Sequence, residues 1–555
     1  MKERAFKLMK EWCDTLLTYR VSTNTPYTDG ALLCPACHVI HGRIADLCFP
    51  FTVLWAESGD ESYLERADEL IDWSEYNLKT FDGLWYNDIT NRWYPTSVFS
   101  AMSIGEALYH FSDKLPEKYK IKWKGIFSRM AEVIYRFDTR DDFRPVINYF
   151  CGTAAFLAMA WRITSDGKYL EKAKYWIDRV LSNFDEDGLL YGEAHPAIID
   201  RGCRAVDMGY NLEESIPLLL RYASLTGDKA DYFKARLMDH LEFLLPDGGI
   251  DDSFGIRHNK WTYWGSRTSD GVIEGLSLLL DDPVCADACE RVLGLYERCT
   301  VNGLLAMPMG NDAGEPTCIH HTFTHTKALA SLICAENDVT PEKNTLPCEK
   351  CYGVKEYQNG NLLLFSNNTF RATFSALSAS FHAPHLKNGG SSMNLLYHKK
   401  YGIVCAATTA GYEPTEPLNQ QYLRKKKNPP CMTAQMVVCG KEACYDNTAV
   451  LSHSENVICA SGEKWNAEYS FSDEKLNIRL TCENGIYSLP IVCGYKQNVN
   501  VLDGGKCVKI DGSVTVISNI PIEVDPDERV FHQVGGLSYV PLRIKVEGSA
   551  EIEIS

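Results

Sequence analysis

The chain has no long apolar run and no surplus of positive charge, and each absence excludes a class of function. No stretch of the 555 residues is apolar over the roughly 20 residues that a membrane-spanning helix needs, and no apolar leader follows Met1. Acidic residues outnumber basic ones by 73 to 56, which gives a formal net charge of −17 and disfavours nucleic acid and anionic membranes as partners. We therefore expect a cytoplasmic protein that binds neither nucleic acid nor membrane.

Cysteine is abundant, but it lacks the dense spacing of a disulfide scaffold. The 21 cysteines are scattered through predicted helices and strands, so we interpret them as buried, reduced thiols. Cys34, Cys37, His38 and His41 lie close enough in sequence to suggest a zinc site. Because structural zinc fingers sit in small modules with little core, we predict that the protein binds no metal and no cofactor, with zinc as the alternative.

A repeated pair of helical patterns fills the first 340 residues. In each copy an amphipathic helix leads into a turn, then a polar and aromatic loop, then a helix that is apolar on all sides, and in four copies the turn contains an Asp-Gly or Asn-Gly step. We interpret the steps at 82–83, 187–188, 247–248 and 302–303 as helix exits, because glycine accepts the left-handed conformation there. Six such pairs predict a closed (α/α)6 toroid, and an open helical solenoid is the alternative.

The apolar helices favour the closed ring, since a helix without a polar face must be buried on every side. These inner helices are predicted near 44–56, 98–111, 154–161, 212–222, 272–280 and 326–335. The amphipathic outer helices are predicted near 2–19, 62–79, 118–137, 168–184, 229–245 and 284–299. A closed ring would gather the polar loops at one mouth.

The pattern changes near residue 340, where 340–347 has the composition of a linker. Alternating apolar residues beyond it predict strands, and the last two of these form a final strand pair. The predicted strands lie at 361–365, 370–374, 476–480, 513–517, 542–546 and 551–554. We therefore predict an α+β multidomain protein with an N-terminal (α/α)6 toroid as the catalytic domain, residues 1–340, and a C-terminal antiparallel β-sandwich, residues 341–555.

The predicted toroid loops hold side chains suited to cleaving a sugar linkage. A glycosidase needs two carboxyl groups beside the bond, about 6.5–9.5 Å apart if it inverts. A lyase needs a group that neutralises a carboxylate, a base and an acid, for which Tyr or His would serve. The catalytic candidates are Glu193, Glu213, Asp252, Asp270, Tyr210 and His321.

The loop at 251–270 is the richest of these loops, with two Arg, a Lys, a His, two Trp and three Asp. Arg257 and Arg267 suit bidentate binding of a uronate carboxylate, although pairing with the aspartates of the same loop is the alternative. The residues predicted to bind substrate are His41, Arg43, Asn211, Arg257, Tyr263, Trp264, Arg267 and His320.

Structural alternatives accompany several of these residues. His41 and Arg43 fit a helix-cap network around Asp46, and Asn211 fits a helix N-cap. His320 and His321 point different ways on any regular backbone, so at most one faces a cavity. In the β-domain, loops at 381–390 and 412–419 are candidates to lean over the mouth, with a plain hairpin as the alternative.

The stretches 207–214 and 261–270, within a toroid followed by a β-sandwich, resemble enzymes that process uronic acids. These are the heparinase II/III-like polysaccharide lyases and the glucuronidases built on the same toroid. The resemblance implies a uronate substrate under either chemistry.

Because carboxylates are plentiful in the loops and no lyase Asn-His-Tyr signature is complete, we predict an exo-acting glycoside hydrolase of β-glucuronidase type. It would remove uronic acid from oligosaccharides or glucuronides. Heparinase II/III-like β-elimination is the first alternative and a non-catalytic sugar-binding protein the second. The sequence leaves the linkage and the oligomeric state open and is compatible with a homo-oligomer.

Overall fold

The fold is given by a computed structural model. It describes residues 1–138, 146–193, 203–376, 392–409, 430–443, 446 and 448–555. A helical region comes first in the chain and two antiparallel β-sheets follow. The loop at 381–390 lies outside the described residues, and so does the loop at 412–419.

The outer helices form where one face of the sequence is apolar. In α7 (Gly167–Leu181), for example, the buried residues recur at spacings of three and four, which places them on one face: Tyr169, Ala173, Trp176, Ile177 and Val180. The outer helices are α1 (Lys2–Leu17), α3 (Ser62–Asn77), α5 (Glu117–Tyr135), α7 (Gly167–Leu181), α10 (Ala230–His240) and α12 (Pro283–Cys299).

The inner helices are buried almost all round, as their composition predicts. They are α2 (Cys48–Ser58), α4 (Ser97–Phe111), α6 (Ile147–Thr164), α9 (Ile216–Thr226), α11 (Ile273–Leu276) and α13 (Ile319–Cys334). Across the described part of the chain each inner helix packs against the next, and α13 packs against α2, which closes the ring. The first helix, α1, packs outside α13. The ring is therefore the predicted toroid rather than an open solenoid.

The Asp-Gly and Asn-Gly steps were predicted as helix exits, but in the structure they lie beyond the ends of the helices. Helix α3 ends at Asn77, and Gly83 lies further on, at the tip of a turn closed by the bridge between Lys79 and Trp85. Gly188, Gly248 and Gly303 occupy matching turns after α7, α10 and α12. All four glycines have positive φ, between 74° and 103°. The steps thus form hairpin tips, where glycine is favoured for the same conformational reason.

Short strands also occur within the helical region. They are β1 (Trp261–Thr262), β2 (Gly265–Ser266), β3 (Thr300–Val301) and β4 (Leu304–Leu305). A one-turn helix, α8 (Met208–Tyr210), precedes a π-helical segment, Asn211–Ser215, that leads into α9.

Among the described residues of the chain, no helix is both long enough and apolar enough to cross a membrane.

The C-terminal region contains two antiparallel sheets. The first contains β5 (Gly353–Tyr357), β6 (Leu362–Ser366), β7 (Phe370–Ser375), β8 (Ser392–His398) and β9 (Gly402–Ala406). The second contains β10 (Gln435–Val438), β11 (Lys441–Glu442), β12 (Val450–Ser454), β13 (Val457–Gly462), β14 (Trp465–Phe471), β15 (Leu476–Val492), β16 (Val499–Leu502), β17 (Cys507–Ile510), β18 (Thr515–Ser518), β19 (Ile522–Glu523), β20 (Val530–His532) and β21 (Leu537–Ile554).

The two sheets share one apolar core. Phe365 and Phe374 of the first sheet contact Phe471 of the second, with Phe365 stacked on Phe471 at 4.0 Å. The predicted final strand pair is wrong, because 542–546 and 551–554 both belong to β21. That strand pairs along its length with β15, and one register shift occurs between Cys482 and Gly485.

The first sheet packs behind the loop at 251–270 and fixes it. Arg371 of β7 is fully buried and forms an ion pair with Asp251 at 3.0 Å. From the second sheet's side, the Gly535 amide donates to the Trp261 carbonyl at 2.9 Å, and the Tyr263 amide donates to the Gly535 carbonyl at 3.0 Å. The β-domain is therefore part of the support for the richest loop of the toroid.

Candidate active site

The candidate site lies where the inner helices begin, an end of the toroid that we call the mouth. Asp207 caps α8 by accepting a hydrogen bond from the Tyr210 amide at 3.0 Å. The π-helical segment follows at once, and such segments widen a helix locally and are frequent at functional sites. This local geometry places Tyr210 and Glu214 beside the loop at 251–270. Asp207 takes the capping role that the sequence suggested for Asn211.

Tyr210 is surrounded by polar and positive groups. Lys260 Nζ donates to the phenolic oxygen at 3.1 Å, and Thr268 Oγ1 lies 2.5 Å from the same oxygen. The Arg257 guanidinium stacks over the Tyr210 ring, 4.5 Å from its centre. Because both cations are close, negative charge on the phenolic oxygen is stabilised electrostatically.

Arg257 also contacts the buried carboxyl group of Glu193. The Arg257 Nε lies 3.1 Å from Glu193 Oε1. Burial raises the pKa of Glu193 to about 8, and the nearby Arg257 charge only partly opposes that rise. Glu193 therefore carries a proton for much of the time at neutral pH.

A second carboxyl group, Glu214, is held by Asn148. Asn148 Nδ2 donates to Glu214 Oε2 at 2.8 Å, and Asn148 Oδ1 is buried with no hydrogen-bond partner among the residues that the structure describes. Burial raises the pKa of Glu214 to about 7, and the negative charge of Asp270 adds to that rise. We call Asn148, Glu193, Tyr210, Glu214, Arg257 and Lys260 the Tyr210 cluster.

Asp252 belongs to a carboxyl pair that supports this cluster from behind. It accepts the Met208 amide at 2.6 Å, while its neighbour Asp207 accepts the Arg257 amide at 2.6 Å. Burial raises the pKa of Asp252 well above its usual range, and the Asp207 charge raises it further. The pair fixes the backbone on both sides of Tyr210.

Asp270 and Arg43 are part of a buried ion-pair network. Arg43 contacts Asp46 at 2.7 Å and Asp270 at 3.0 Å, and Lys327 contacts the same two carboxylates at 3.0 and 2.5 Å. Ser100 Oγ donates to Asp46 at 2.6 Å. We call Arg43, Asp46, Asp270 and Lys327 the Asp270 network. Its two positive and two negative charges compensate one another.

Glu213 serves the loop at 251–270 rather than a cavity. It accepts the Ser266 amide at 2.6 Å and the Ser269 hydroxyl at 2.9 Å, and His325 Nε2 lies 3.3 Å from its other oxygen. Its side chain is fully buried. These contacts involve both carboxylate oxygens in holding the loop to α13.

Four residues predicted to bind substrate have structural partners. Asn211 Nδ2 donates to the Leu190 carbonyl at 2.7 Å, Tyr263 donates to Asp247 at 2.9 Å, and Trp264 Nε1 donates to the Ala306 carbonyl at 2.9 Å. The Arg267 guanidinium donates to the backbone carbonyls of Asn259 and Lys260. Arg257 and Arg267 therefore have different surroundings, and only Arg257 is in the Tyr210 cluster.

The predicted histidines face different neighbours. His320 lies edge-on to His41 with ring centres 5.4 Å apart, whereas His321 lies edge-on to Trp264 at 5.6 Å. No ring nitrogen of His320 or His321 has a hydrogen-bond partner in the described structure. Burial lowers the pKa of both rings well below the usual range, so both are neutral. His320 also senses the charges of Arg43 and Lys260, which places it toward the mouth.

His41 faces a group of thiols instead. Its Nε2 lies 3.5 Å from Cys318 Sγ, and Cys34 and Cys37 complete a set of metal-ligand atoms within 4.8 Å of one another. In the residues that the structure describes, this is the one such His, Cys, Asp or Glu group.

Sequence reasoning gave Asn148, Glu214 and Lys260 no role. A usable signal was available for the first two, because each is a polar residue at the start of an otherwise apolar inner helix. Lys260 carried no comparable signal. Its position beside Tyr210 depends on how the loop at 251–270 folds back.

Comparison with known proteins gives matches along nearly the whole chain. The family described as Ulvan lyase N-terminal domain matches residues 9–350, and the family described as Ulvan lyase C-terminal domain matches 354–454 and 448–555. A broad-specificity ulvan lyase from Formosa agariphila is 33% identical over 594 residues, covering 98% of this chain and 92% of that protein.

Solved structures share the fold at low sequence identity. Heparinase III superposes with a TM-score of 0.54 and 11% identity, covering 96% of this chain and 78% of that one. Streptomyces coelicolor A3 chondroitin AC lyase, in complex with chondroitin sulphate, gives a TM-score of 0.56 and 10% identity, covering 100% and 79%.

These matches show that the predicted glycoside hydrolase is wrong, as is its β-glucuronidase form, and they favour the polysaccharide lyase alternative. The prediction relied on the number of loop carboxylates and on the lack of a complete lyase signature. In the structure Glu213 and Asp270 have loop-holding and ion-pairing contacts, and Asp252 supports the backbone beside Tyr210.

Proposed function

Because this chain belongs to the ulvan lyase family, we propose that it cleaves a uronate-containing polysaccharide by β-elimination centred on Tyr210. The observation that carries the proposal is the contact of the Tyr210 phenolic oxygen with Lys260, beneath the Arg257 guanidinium. The substrate class follows from the curated relative, which is an ulvan lyase.

The reaction sets three requirements. A base removes the proton from C5 of the uronate, the bond from C4 to the glycosidic oxygen breaks, and a double bond forms between C4 and C5. The departing oxygen then needs a proton. The C5 proton is weakly acidic unless the neighbouring carboxylate is neutralised, so hydrogen bonds to that carboxylate lower the barrier.

Tyr210 suits the proton transfers. With Lys260 donating to it, the phenolic oxygen can exist as a phenolate, accept the C5 proton, and return that proton to the departing glycosidic oxygen on the same side of the sugar. Atoms balance, since the proton lost from C5 ends on the leaving group. Thr268 orients the phenolic oxygen from a second direction.

A protonated acid, an amide and one cation are available to donate hydrogen bonds to the uronate carboxylate. Glu214, whose pKa is raised to about 7 chiefly by burial, can donate a hydrogen bond when protonated. The Asn148 amide beside it and Arg257 offer further donors. The mouth also collects the N-terminal ends of the inner helices, whose dipoles favour an anion.

Ultraviolet absorbance tests the proposal directly, since elimination creates a conjugated unsaturated uronate and hydrolysis of a saturated chain does not. Purified protein incubated with ulvan is expected to raise the absorbance, and Tyr210→Phe to abolish the rise while the fold is kept. Tyr222→Phe is the matched control, because Tyr222 is also buried but donates to Asp228 near the far end of α9. New reducing ends without absorbance would contradict elimination.

A substrate panel separates the reaction class from the sugar specificity. Ulvan, chondroitin sulphate, heparan sulphate and a neutral glucan are compared at equal mass. Absorbance on any uronate polymer supports elimination, and a preference for ulvan supports the finer assignment. Activity on another uronate polymer alone would overturn that assignment and leave the elimination mechanism standing.

A further inference from the structure

Three cysteines and a histidine from distant parts of the chain meet beside the mouth. Cys34 and Cys37 belong to a tight turn, His41 immediately precedes the short helix that leads into α2, and Cys318 immediately precedes α13. Cys34 Sγ lies 3.7 Å from Cys318 Sγ, Cys37 Sγ lies 3.5 Å from it, and His41 Nε2 also lies 3.5 Å from it.

The three separations from Cys318 Sγ match tetrahedral coordination. With zinc–sulphur bonds near 2.3 Å and zinc–nitrogen bonds near 2.0–2.1 Å, neighbouring ligand atoms lie about 3.5–3.8 Å apart. All four ligand atoms lie within 4.8 Å of one another. A disulfide would involve only two of the three thiols and would not explain why the third thiol and the imidazole lie in the same group.

The backbone around Cys34 supports a thiolate. The Cys37 amide donates to Cys34 Sγ at 3.4 Å, and the His38 amide donates to the Cys34 carbonyl at 3.0 Å, which closes the turn. Amide hydrogen bonds to ligand sulphur orient it and stabilise its charge. His38 has a positive φ of 56° and is exposed, so it leaves the fourth position to Cys318.

We propose that Cys34, Cys37, His41 and Cys318 bind one structural zinc ion. Four protein ligands with sulphur in the majority leave no open position for water or substrate, which is the pattern of a structural rather than a catalytic site. Three of the four residues are buried and Cys37 is half-buried. The prediction of no metal was based on the large size of the domain, and it did not consider Cys318, which lies far from the other three ligands in the chain.

The ion would fasten the ring where it closes. The turn at 34–41 precedes α2, and Cys318 immediately precedes α13, so the metal would link the first and last inner helices. Arg43 and His320 follow two of the ligands by two residues each. Zinc would thus hold the two chain segments that supply the Asp270 network and this side of the mouth.

Metal analysis of the purified full-length protein tests the proposal. We expect about one zinc per chain by mass spectrometry after dialysis, and a large loss of zinc in Cys318→Ser and in Cys37→Ser. Two matched controls should keep their zinc: His38→Ala beside the turn, and Cys351→Ser at an exposed thiol. Equal zinc in the ligand variants and the controls would overturn the proposal.

Measurements on the unmodified protein cover the case in which a variant fails to fold. Cobalt exchanged for zinc should give the intense visible absorption and sulphur charge-transfer bands of a tetrahedral thiolate site. The protein denatured with chelator, without reductant, should titrate 21 thiols. Two fewer thiols, together with no bound zinc and no cobalt spectrum, would indicate a disulfide and overturn the proposal.

Discussion

The Tyr210 cluster and the Asp270 network lie side by side at the mouth, and both are buried. In the Asp270 network Arg43 and Lys327 each contact Asp46 and Asp270, so positive and negative charges are equal in number. In the Tyr210 cluster the carboxyl groups of Glu193 and Glu214 have raised pKa values instead.

Both groups of residues are thus buried, but they differ in charge compensation, which only the Asp270 network has. A compensated network stabilises one geometry and resists a change in protonation. Carboxyl groups that are poised near neutral pH, beside a phenol and two cations, can exchange protons with a substrate. The difference predicts that substitutions in the Tyr210 cluster reduce activity, and that substitutions in the Asp270 network reduce stability.

The largest effect is expected for Tyr210→Phe. Losing the phenolic oxygen removes the proposed proton acceptor and donor, which typically costs about 10²–10⁴-fold in rate. The midpoint of thermal unfolding should change little. The rate is followed by ultraviolet absorbance on ulvan, with Tyr222→Phe as the control. Activity within threefold of the unmodified protein would remove Tyr210 from the mechanism and weaken the comparison.

Asp270→Asn should act mainly on stability. It leaves Arg43 and Lys327 with Asp46 as their common carboxylate, and breaking a buried ion pair on one side costs about 3–5 kcal/mol. Denaturant unfolding measures the loss. The double variant Asp270→Asn with Lys327→Met removes one charge of each sign and should recover part of it. If the Asp270→Asn variant keeps the free energy of unfolding of the unmodified protein but loses turnover, Asp270 takes part in the reaction. The assignment of the two groups to activity and to stability is then incorrect.

Glu214→Gln should change the pH dependence of kcat/KM. The pKa of Glu214 is raised to about 7, so its protonated, hydrogen-bond-donating form is lost as the pH rises through that value. We expect the alkaline fall in the rate to shift upward or vanish, with up to about a tenfold change at pH 8. Glu274→Gln is the control, since Glu274 lines a separate cleft with Glu106 and Arg221. An unchanged profile would exclude Glu214 as the donor.

The smallest effect concerns Glu193 and the pH dependence of stability. Its folded pKa of about 8 exceeds the ordinary value of 4.5, so the folded state binds more protons and stability falls as the pH rises between these values. Glu193→Gln removes that titration. At each pH, the melting temperature of the unmodified protein is subtracted from that of the variant. This difference should be about 2–4 °C larger at pH 8.5 than at pH 5. A difference that is independent of pH would show that Glu193 stays ionised.

Much of the fold could be predicted from local pattern. The outer and inner helices lie close to the predicted ranges, because helical periodicity and the absence of a polar face are properties of short windows. The last strand shows the limit: 542–546 and 551–554 were predicted as two strands, but both belong to β21 and pair with β15 on either side of one register shift. Pairing between strands that are far apart in the sequence cannot be predicted from a short segment of it.

The site was less accessible to sequence reasoning. Glu213 and Glu214 are adjacent and chemically alike, yet one contacts Ser266 and Ser269 and the other contacts Asn148. Adjacent residues on a helix point in different directions, and only the folded loop at 251–270 determines which partners each side chain meets. In the same way Arg257 and Arg267 belong to one loop, but only Arg257 stacks on Tyr210.

The sequence by itself determined that a ring of paired helices precedes antiparallel sheets, and that polar loops meet at one mouth. Its resemblance to enzymes that process uronic acids also implied the uronate substrate that remains part of the proposed function. Tertiary structure decided which charges are compensated, which tyrosine is flanked by cations, and which thiol completes the group around Cys34. The physical reason is that helix formation follows the spacing of neighbouring residues, whereas protonation and ligand binding depend on groups that folding brings together from distant positions.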